Sequence, residues 1–244
     1  MRVKPSTLAI MQPYFMPYIG YFQLIAASDL FIAFDTAQYI RHGWVNRNRI
    51  LHPTEGWQYV IAPLRKHARE AAIRDVMVQE GPEWARKLMA QMAHYKKRGP
   101  HYGEVIALLE SELLPLCNTE ITIAKLNVAL LRAICKRLGI NTPIEVYSEM
   151  GLQIADVSHA GQWALRISEA IGAKRYINPP GGRDIFNPDE FKGAGIELRF
   201  LEPGEIAYDQ GGRGFEPWLS ILDLMIWNST DEIMRHLESF SLVE

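Results

Sequence analysis

The chain has 244 residues, 48% of them hydrophobic, and 26 Lys and Arg stand against 28 Asp and Glu for a net charge of -2. That length and composition fit one large domain, or one domain with a helical insertion, with a sizeable core, and the near-neutral balance gives no reason to expect nucleic-acid or membrane binding through bulk electrostatics, so any basic site must be local. The opening MRVKPSTLAI lacks an apolar signal core before Pro5 and no run of about 18 apolar residues occurs, so a cytoplasmic protein is expected.

An apolar run over residues 7–11 enters a loop punctuated by Pro13, Pro17 and Gly20, followed by a short amphipathic stretch over 21–28 and a second apolar run over 30–34. The order is strand, loop, helix, strand. Parallel strands need a crossover, so the loop after the first strand should open at the carboxyl edge of a parallel sheet, where such folds bind ligands. Asp35 falls where the second strand ends. Arg41, His42, Arg47 and Arg49 then crowd into nine residues, with Trp44, Asn46 and Asn48 between them. Arginine offers a planar fork matched to phosphate or carboxylate, asparagine adds neutral donors and tryptophan a stacking face, so this segment reads as an anion clamp. A solvated loop with a structural tryptophan is the alternative.

Residues 57–62 read as a third strand ended by Pro63. Arg65, Lys66, His67 and Arg69 follow as a second basic patch, able to reach the same ligand or to sit on an exposed turn, and residues 73–78 look extended again. From Pro82 the pattern turns helical, over about 82–98, 103–114 and 121–138; the last stretch is apolar on two faces and reads as buried scaffold. With no Gly, Ser or Pro-rich linker bounding it, the region of about 82–139 reads as a helical insertion capping the sheet of one domain spanning 1–244. Cys117 and Cys135 lie in apolar helical surroundings and read as buried thiols of a reduced protein rather than a disulfide.

The alternation resumes with a strand over 144–147, a helix over 159–171 and a strand over 175–178. The loop NPPGGRD, residues 178–184, then sits at the same kind of strand end as the first loop. Gly181 and Gly182 would let backbone N–H groups approach an anion, with Arg183 adding charge, although a structural turn fits equally. Residues 196–200 read as a final strand, followed by a long glycine-rich loop carrying Tyr208, Asp209, Gln210, Arg213 and Trp218. Two helical stretches end the chain, with Thr230 a candidate N-cap, and Asp223 in the first must be paired or face a pocket. The seven histidines form no metal-ligand spacing, neither cysteine has a partner at zinc spacing and no serine sits in a G-x-S-x-G setting, so no metal site or serine hydrolase is expected.

Three blocks, MQPYFMPYIGYFQLI, AQYIRHGWVNRNRI and the C-terminal series GIEL, YDQ and F-x-P-x-LSILDL, resemble the WbqC-like protein family over about residues 8–228. Members of that family occur in bacterial surface-polysaccharide (O-antigen) gene clusters and are described as glycine transferases. NPPGGRD departs from the Ser-Gly start expected of that loop. More distantly, QPYFMPYIGYFQLI followed by SDLFIAFD is similar to the first strand, loop and helix of adenylyl-transferring enzymes such as pantothenate synthetases, whose His-x-Gly-His motif corresponds here to Tyr18, Ile19, Gly20 and Tyr21. Both histidines have become tyrosines, which donate hydrogen bonds but bring no imidazolium charge.

These resemblances imply a mostly parallel, nucleotide-binding sheet of the HUP or Rossmann-like kind with a helical insertion. They imply a transferase that moves a glycyl or other acyl group to the amine of an amino sugar, most naturally nucleotide-linked, the donor activated by ATP with magnesium or arriving pre-activated. Gln12, Tyr18, Gly20 and Tyr21 would line the phosphate loop, Arg41, Arg47 and Arg49 would neutralise phosphate or a developing oxyanion, and Trp44 would stack on a base. Gln38, Asn46, Tyr208 and Gln210 complete the expected substrate contacts, and Asp35 or His42 is the candidate base for the attacking amine. A nucleotidyltransferase acting on a sugar phosphate, and a non-catalytic nucleotide-sugar-binding protein, are the competing readings.

Overall fold

The structure, a computed structural model, describes residues 5–244, so residues 1–4 of the stretch inspected for a signal core lie outside the described residues. Strand β1 (Thr7–Met11) alternates its side chains between two cores: Leu8 and Ile10 face one, Ala9 the other. A strand buried on both sides must have neighbours on both edges and helices over both faces. Helix α1 (Ile19–Ala26) leads to β2 (Leu30–Ala33), which runs parallel to β1 with Leu8 opposite Leu30.

The chain then leaves the sheet for an antiparallel hairpin, β3 (Arg47–Leu51) and β4 (Trp57–Ile61), and four helices, α2 (Glu83–Gln91), α3 (Tyr102–Leu108), α4 (Leu114–Cys117) and α5 (Ile123–Arg137). Between α3 and α4 the ladder widens into a π turn over Leu109–Leu113, next to Pro115, which has no N–H to donate. Helix α5 starts at Thr122, whose hydroxyl accepts the Lys125 N–H at 3.3 Å, and delivers the chain to β5 (Ile144–Val146), parallel to β2. Helix α6 (Gln162–Ile171) precedes β6 (Arg175–Asn178), and α7 (Pro188–Gly193) precedes β7 (Glu197–Pro203). Helices α8 (Ile221–Trp227) and α9 (Thr230–Glu238) and strand β8 (Phe240–Val243) end the chain.

The six strands lie in the order β5-β2-β1-β6-β7-β8, all parallel except β8, which is antiparallel to β7. The fold is thus α/β with a mostly parallel sheet, in the Rossmann-like layout. Successive strands move outward from β1 on one side and then restart on its other side at β6. The loops leaving β1 and β6 therefore part in opposite directions at the carboxyl edge, and a crevice opens between them.

Four local expectations need correction. Arg47–Leu51 is a strand rather than loop: Arg47 and Arg49 stay half-buried while Asn48 and Ile50 between and after them are buried, and the segment pairs along its length with β4. Residues 73–78 contain a 3₁₀ turn, Ile73–Asp75, with Met77 and Val78 making only isolated bridges. The last strand is β8, and the N-cap of α9 is Ser229, one residue before Thr230: its hydroxyl accepts the Glu232 N–H while the Glu232 carboxylate accepts the Ser229 N–H at 2.7 Å. Cys117 and Cys135 are buried and unpaired. Among the described residues no helix is long and apolar enough to cross a membrane.

Candidate functional site

Pro13 and Pro17 keep the chain after β1 from extending the strand, so the backbone of residues 12–18 must find partners elsewhere. It finds them on five segments. The Gln12 carbonyl accepts the Tyr21 hydroxyl at 2.8 Å, Pro13 the Asn127 amide at 2.8 Å and Phe15 the Asn48 amide at 3.1 Å. Ser220 donates its hydroxyl to the Met16 carbonyl at 2.7 Å, and the Ile221 N–H reaches Pro17 at 2.8 Å. The Phe15 N–H in turn donates to the Trp44 carbonyl at 3.0 Å. Donors from α1, α5, β3 and the start of α8 thus over-determine one loop. Backbone strain survives where surroundings enforce it, and the three non-glycine residues with left-handed φ among the described residues, Met16, His42 and Trp218, all lie in this loop or in the segments packed on it.

A cleft of about 640 Å³ lies where the switch-point argument places it. Gln12, Tyr14 and Tyr18 line it from the β1 side, Asn178, Gly181 and Gly182 from the β6 side, with Trp44 and Trp163 among its walls. Burial raises the Tyr14, Tyr18 and Tyr21 hydroxyls above the ordinary phenol range, so all three stay protonated donors. Among the described residues no Asp, Glu, His, Lys, Arg or Cys lines this cleft. Two glycines are fixed by close approach. A Cβ on Gly20 would stand 2.3 Å from the Tyr18 ring, and one on Gly182 would stand 2.1 Å from the Asn178 amide. The space beside Gly20 is therefore filled by the Tyr18 ring, which also meets Trp218 edge-on at 5.6 Å.

The remaining expected residues distribute around this cleft rather than in it. Arg49 lies between the rings of Trp44 and Trp57, at 5.2 and 5.0 Å, and its Nε is buried with no hydrogen-bond partner. Arg47 stacks on Tyr59 at 4.2 Å and donates to the carbonyls of His42 and Gly43, while the His42 side chain itself is exposed. Asp35 is buried at the end of β2, and both its carboxylate oxygens are taken by Ser148, one by the hydroxyl at 2.6 Å and one by the backbone N–H at 3.1 Å. That pairing makes it a tie between β2 and the turn after β5. Gln38 donates to the Arg69 carbonyl at 3.0 Å, and Asn46 accepts the Tyr39 hydroxyl at 2.8 Å; with Arg41 they line a separate groove. Arg183 pairs with Glu202 at 2.9 Å and lies over the Phe200 ring. Tyr208 and Gln210 both donate to the buried Asp223, at 2.6 and 3.2 Å. Asp223 also accepts the Tyr95 hydroxyl at 2.6 Å, and that hydroxyl accepts the Leu51 N–H at 2.8 Å.

A model of the WbqC-like protein family matches residues 12–235. The chain belongs to the WbqC-like protein family. It is 30% identical over 220 residues, covering 89% of this chain and 92% of the relative, to the uncharacterized protein Rv1507c of Mycobacterium tuberculosis. No solved structure matches. The WbqC-like match begins at Gln12, the first residue of the pinned loop, and reaches into α9, so it takes in β2, β5, β6 and β7 and most of the cleft lining, while β1 and β8 lie just outside it.

Several residues that shape this WbqC-like site carried weak signals or none. Asn127 is a lone amide among apolar positions of α5, the same kind of signal that marked Asp223, and it ties the β1 loop to the Trp44 segment by donating to both the Pro13 and the Val45 carbonyls. Tyr14 looked like core, and Trp163 and Asn178 were ordinary members of a helix and a strand. The cleft they complete is aromatic with a few neutral donors and acceptors. Such a surface stacks on planar or sugar rings and hydrogen-bonds their rims.

Proposed function

We propose that this WbqC-like protein is a transferase that moves an acyl group, glycine on the family's description, to the amine of a nucleotide-linked amino sugar in cytoplasmic surface-polysaccharide synthesis. The observation that carries the reading is the aromatic cleft at the sheet switch point, framed by a loop whose carbonyls are pinned from four segments. A sugar would rest against Trp44 and Trp163, with Gln12 and Asn178 reading its hydroxyls. The amine attacks the acyl carbon, the C–N bond forms, the bond to the activating phosphate breaks, and the departing phosphate oxygen takes the amine proton. No side-chain base in the cleft is then needed, and Asp35 keeps its tie to Ser148. The Tyr14 and Tyr18 hydroxyls, held protonated by burial, are suited to donate to the developing oxyanion. ATP would supply the activating phosphate, or the donor would arrive activated. Magnesium would enter on the phosphates of ATP, since the cleft lining offers it no carboxylate.

The test is mass-spectrometric detection of an N-glycyl product when the purified protein is incubated with a nucleotide-linked amino sugar, glycine and ATP with magnesium. Tyr18→Phe should lower turnover at least tenfold. Absence of product across glycine and pre-activated acyl donors, with Trp44→Ala abolishing sugar-nucleotide binding, would replace the transferase with the second reading, a protein that holds a nucleotide-sugar for a partner enzyme. The lack of ionisable side chains other than tyrosine in the cleft is what favours that second reading.

A further inference from the structure

The two basic segments of the sequence, separated by the fifteen residues 50–64, line one groove of about 910 Å³ beside the cleft. Arg41 comes from the first; Arg65, Lys66, His67 and Arg69 come from the second. The segments are fastened to each other by the backbone: the Tyr39 N–H donates to the Ala71 carbonyl at 2.9 Å, Gln38 bridges to Ala72, and Gln38 donates its amide to the Arg69 carbonyl at 3.0 Å. The Tyr39 ring also meets the His67 ring edge-on at 4.9 Å. Their approach is built in.

Charge is what sets this groove apart. Among the described residues no Asp or Glu lines it, in a chain whose overall charge is -2. Of its four permanent cations, Arg65 is held by Glu80 and Glu120, whereas Arg41, Lys66 and Arg69 make no ion pair among the described residues. Other charged regions are matched internally, as where His101, Glu104 and Arg137 meet in a polar pocket. Three uncompensated cations around a concave surface repel one another, and an anion of matching charge relieves that repulsion. A monophosphate carries too little charge to match all three, whereas a diphosphate or triphosphate does.

We propose that this groove binds the diphosphate or triphosphate group of a small molecule. It stands apart from the acyl-transfer reading, since it requires no chemistry in the cleft. The Ala37 to Asn46 segment separates the two: Ala37 and Trp44 line the cleft, while Arg41 and Asn46 line the groove. A nucleotide could lie across this rib, or free pyrophosphate could occupy the groove alone.

The experiment is isothermal titration of the full chain with sodium pyrophosphate, tripolyphosphate, orthophosphate, ADP and UDP, at two salt concentrations. The expected result is binding of pyrophosphate at least tenfold tighter than orthophosphate, weakened by salt. The double variant Lys66→Ala/Arg69→Ala should weaken it tenfold or more with an unchanged melting temperature, since both side chains are exposed. The charge-matched control Lys96→Ala/Lys97→Ala, exposed on another segment, should leave it unchanged. Loss of ADP or UDP affinity in the same variant identifies a nucleotide as the source of the phosphates, and pyrophosphate binding without nucleotide binding identifies the free ion. Equal affinity for orthophosphate and pyrophosphate, equal loss in the control, or displacement of pyrophosphate by a single-stranded RNA at lower concentration than by ADP would overturn the proposal.

Discussion

Asp223 ties α8 and the loop before it to Tyr95 and, through it, to β3, and its removal has a calculable cost. Its carboxylate receives three donors, the Tyr95 and Tyr208 hydroxyls and the Gln210 amide, and it is fully buried. In Asp223→Asn the amide oxygen can keep the Tyr208 and Gln210 donors. The new NH₂ then faces Tyr95, whose oxygen already takes the Leu51 N–H, so one buried donor is orphaned at a cost of about 2 kcal/mol. Asp223→Ala orphans all three donors and leaves a small void; since the half-buried Tyr208 can turn to water, the cost is about 4 kcal/mol. For a chain of this length the unfolding entropy is about 0.5 kcal/mol/K, so the alanine variant should melt roughly 8 °C lower. The pH dependence has a definite sign. Burial raises the Asp223 carboxyl above its ordinary value, so the native state holds this proton more tightly than the unfolded chain. That contribution is full below the unfolded value of about 3.9 and is lost as pH rises through the folded one. The penalty of Asp223→Asn should accordingly be larger at pH 5 than at pH 8. Urea unfolding followed by tryptophan fluorescence at both pH values reads it. An alanine variant within 1 kcal/mol of the parent, or an asparagine penalty that grows with pH, would refute the network as that tie.

Three further outcomes are expected. Gly20→Ala must push the Tyr18 ring off the α1 backbone, costing about 1–3 kcal/mol of stability and lowering affinity for whatever fills the cleft; Tyr18→Ala in the same background should recover part of the stability in a double-mutant cycle. Asn127→Ala removes the donor to both Pro13 and Val45 and should cost about 2–3 kcal/mol, with faster hydrogen exchange at Phe15, whose N–H joins the same loop to Trp44. His94 donates Nδ1–H to the Gln91 carbonyl at 2.9 Å while its buried Nε2 has no partner, and burial lowers its pKa below the ordinary 6.5. Its contribution to stability is present above about 6.5 and is lost as pH falls through the lower folded value, so His94→Gln should flatten the acid limb of a stability-pH curve; an unchanged slope would rule this out.

Local signals made most of the sheet legible. The strand-loop-helix-strand reading of the first 34 residues matches β1, α1 and β2 because both apolar runs are only five residues long and are set off by Pro13 on one side and by Asp29 and Asp35 on the other. Strand β3 escaped because its outward positions are Arg47 and Arg49, and the same residues that suggested an anion clamp hid a period of two. Strand β8 escaped for a different reason. Its formation depends on pairing with β7 some forty residues earlier, which no local window contains. At the site, sequence located the two strand-end loops and four of the side chains that line the cleft, Gln12, Tyr18, Tyr21 and Trp44, but not Tyr14, Trp163 or Asn178, and it added arginines that lie outside it. The arginines were weighed as free charges, yet Arg47 and Arg49 are stacked on Tyr59, Trp44 and Trp57, contacts that come from cross-strand pairing. Tyr208 and Gln210 read as ligand contacts because they stand in a long loop, although their hydrogen-bonding capacity is turned inward to Asp223.

That inward turn bears on how the site keeps its shape. The rings of this loop that face the cleft, Tyr14 and Tyr18, are only partly buried, so burial of Phe15 and Met16 beside them does not by itself fix where they stand. Here the loop is held instead through its carbonyls, by donors from Tyr21, Asn127, Asn48 and Ser220, three of them on helices or strands that are themselves core. Each donor is buried or nearly so, hence each bond is made in surroundings where water competes weakly. The left-handed Met16 follows from this arrangement: its carbonyl must reach Ser220 while Phe15 enters the core and Pro17 starts the approach to α1. The Tyr18 ring is consequently delivered to one place, over Gly20 and against Trp218, between the switch-point cleft and a smaller apolar pocket of about 370 Å³ that it also lines. A ligand entering the cleft thus meets a wall whose backbone position is already fixed, and the ordering cost of binding falls on the ligand and on the exposed Trp218 rather than on the loop.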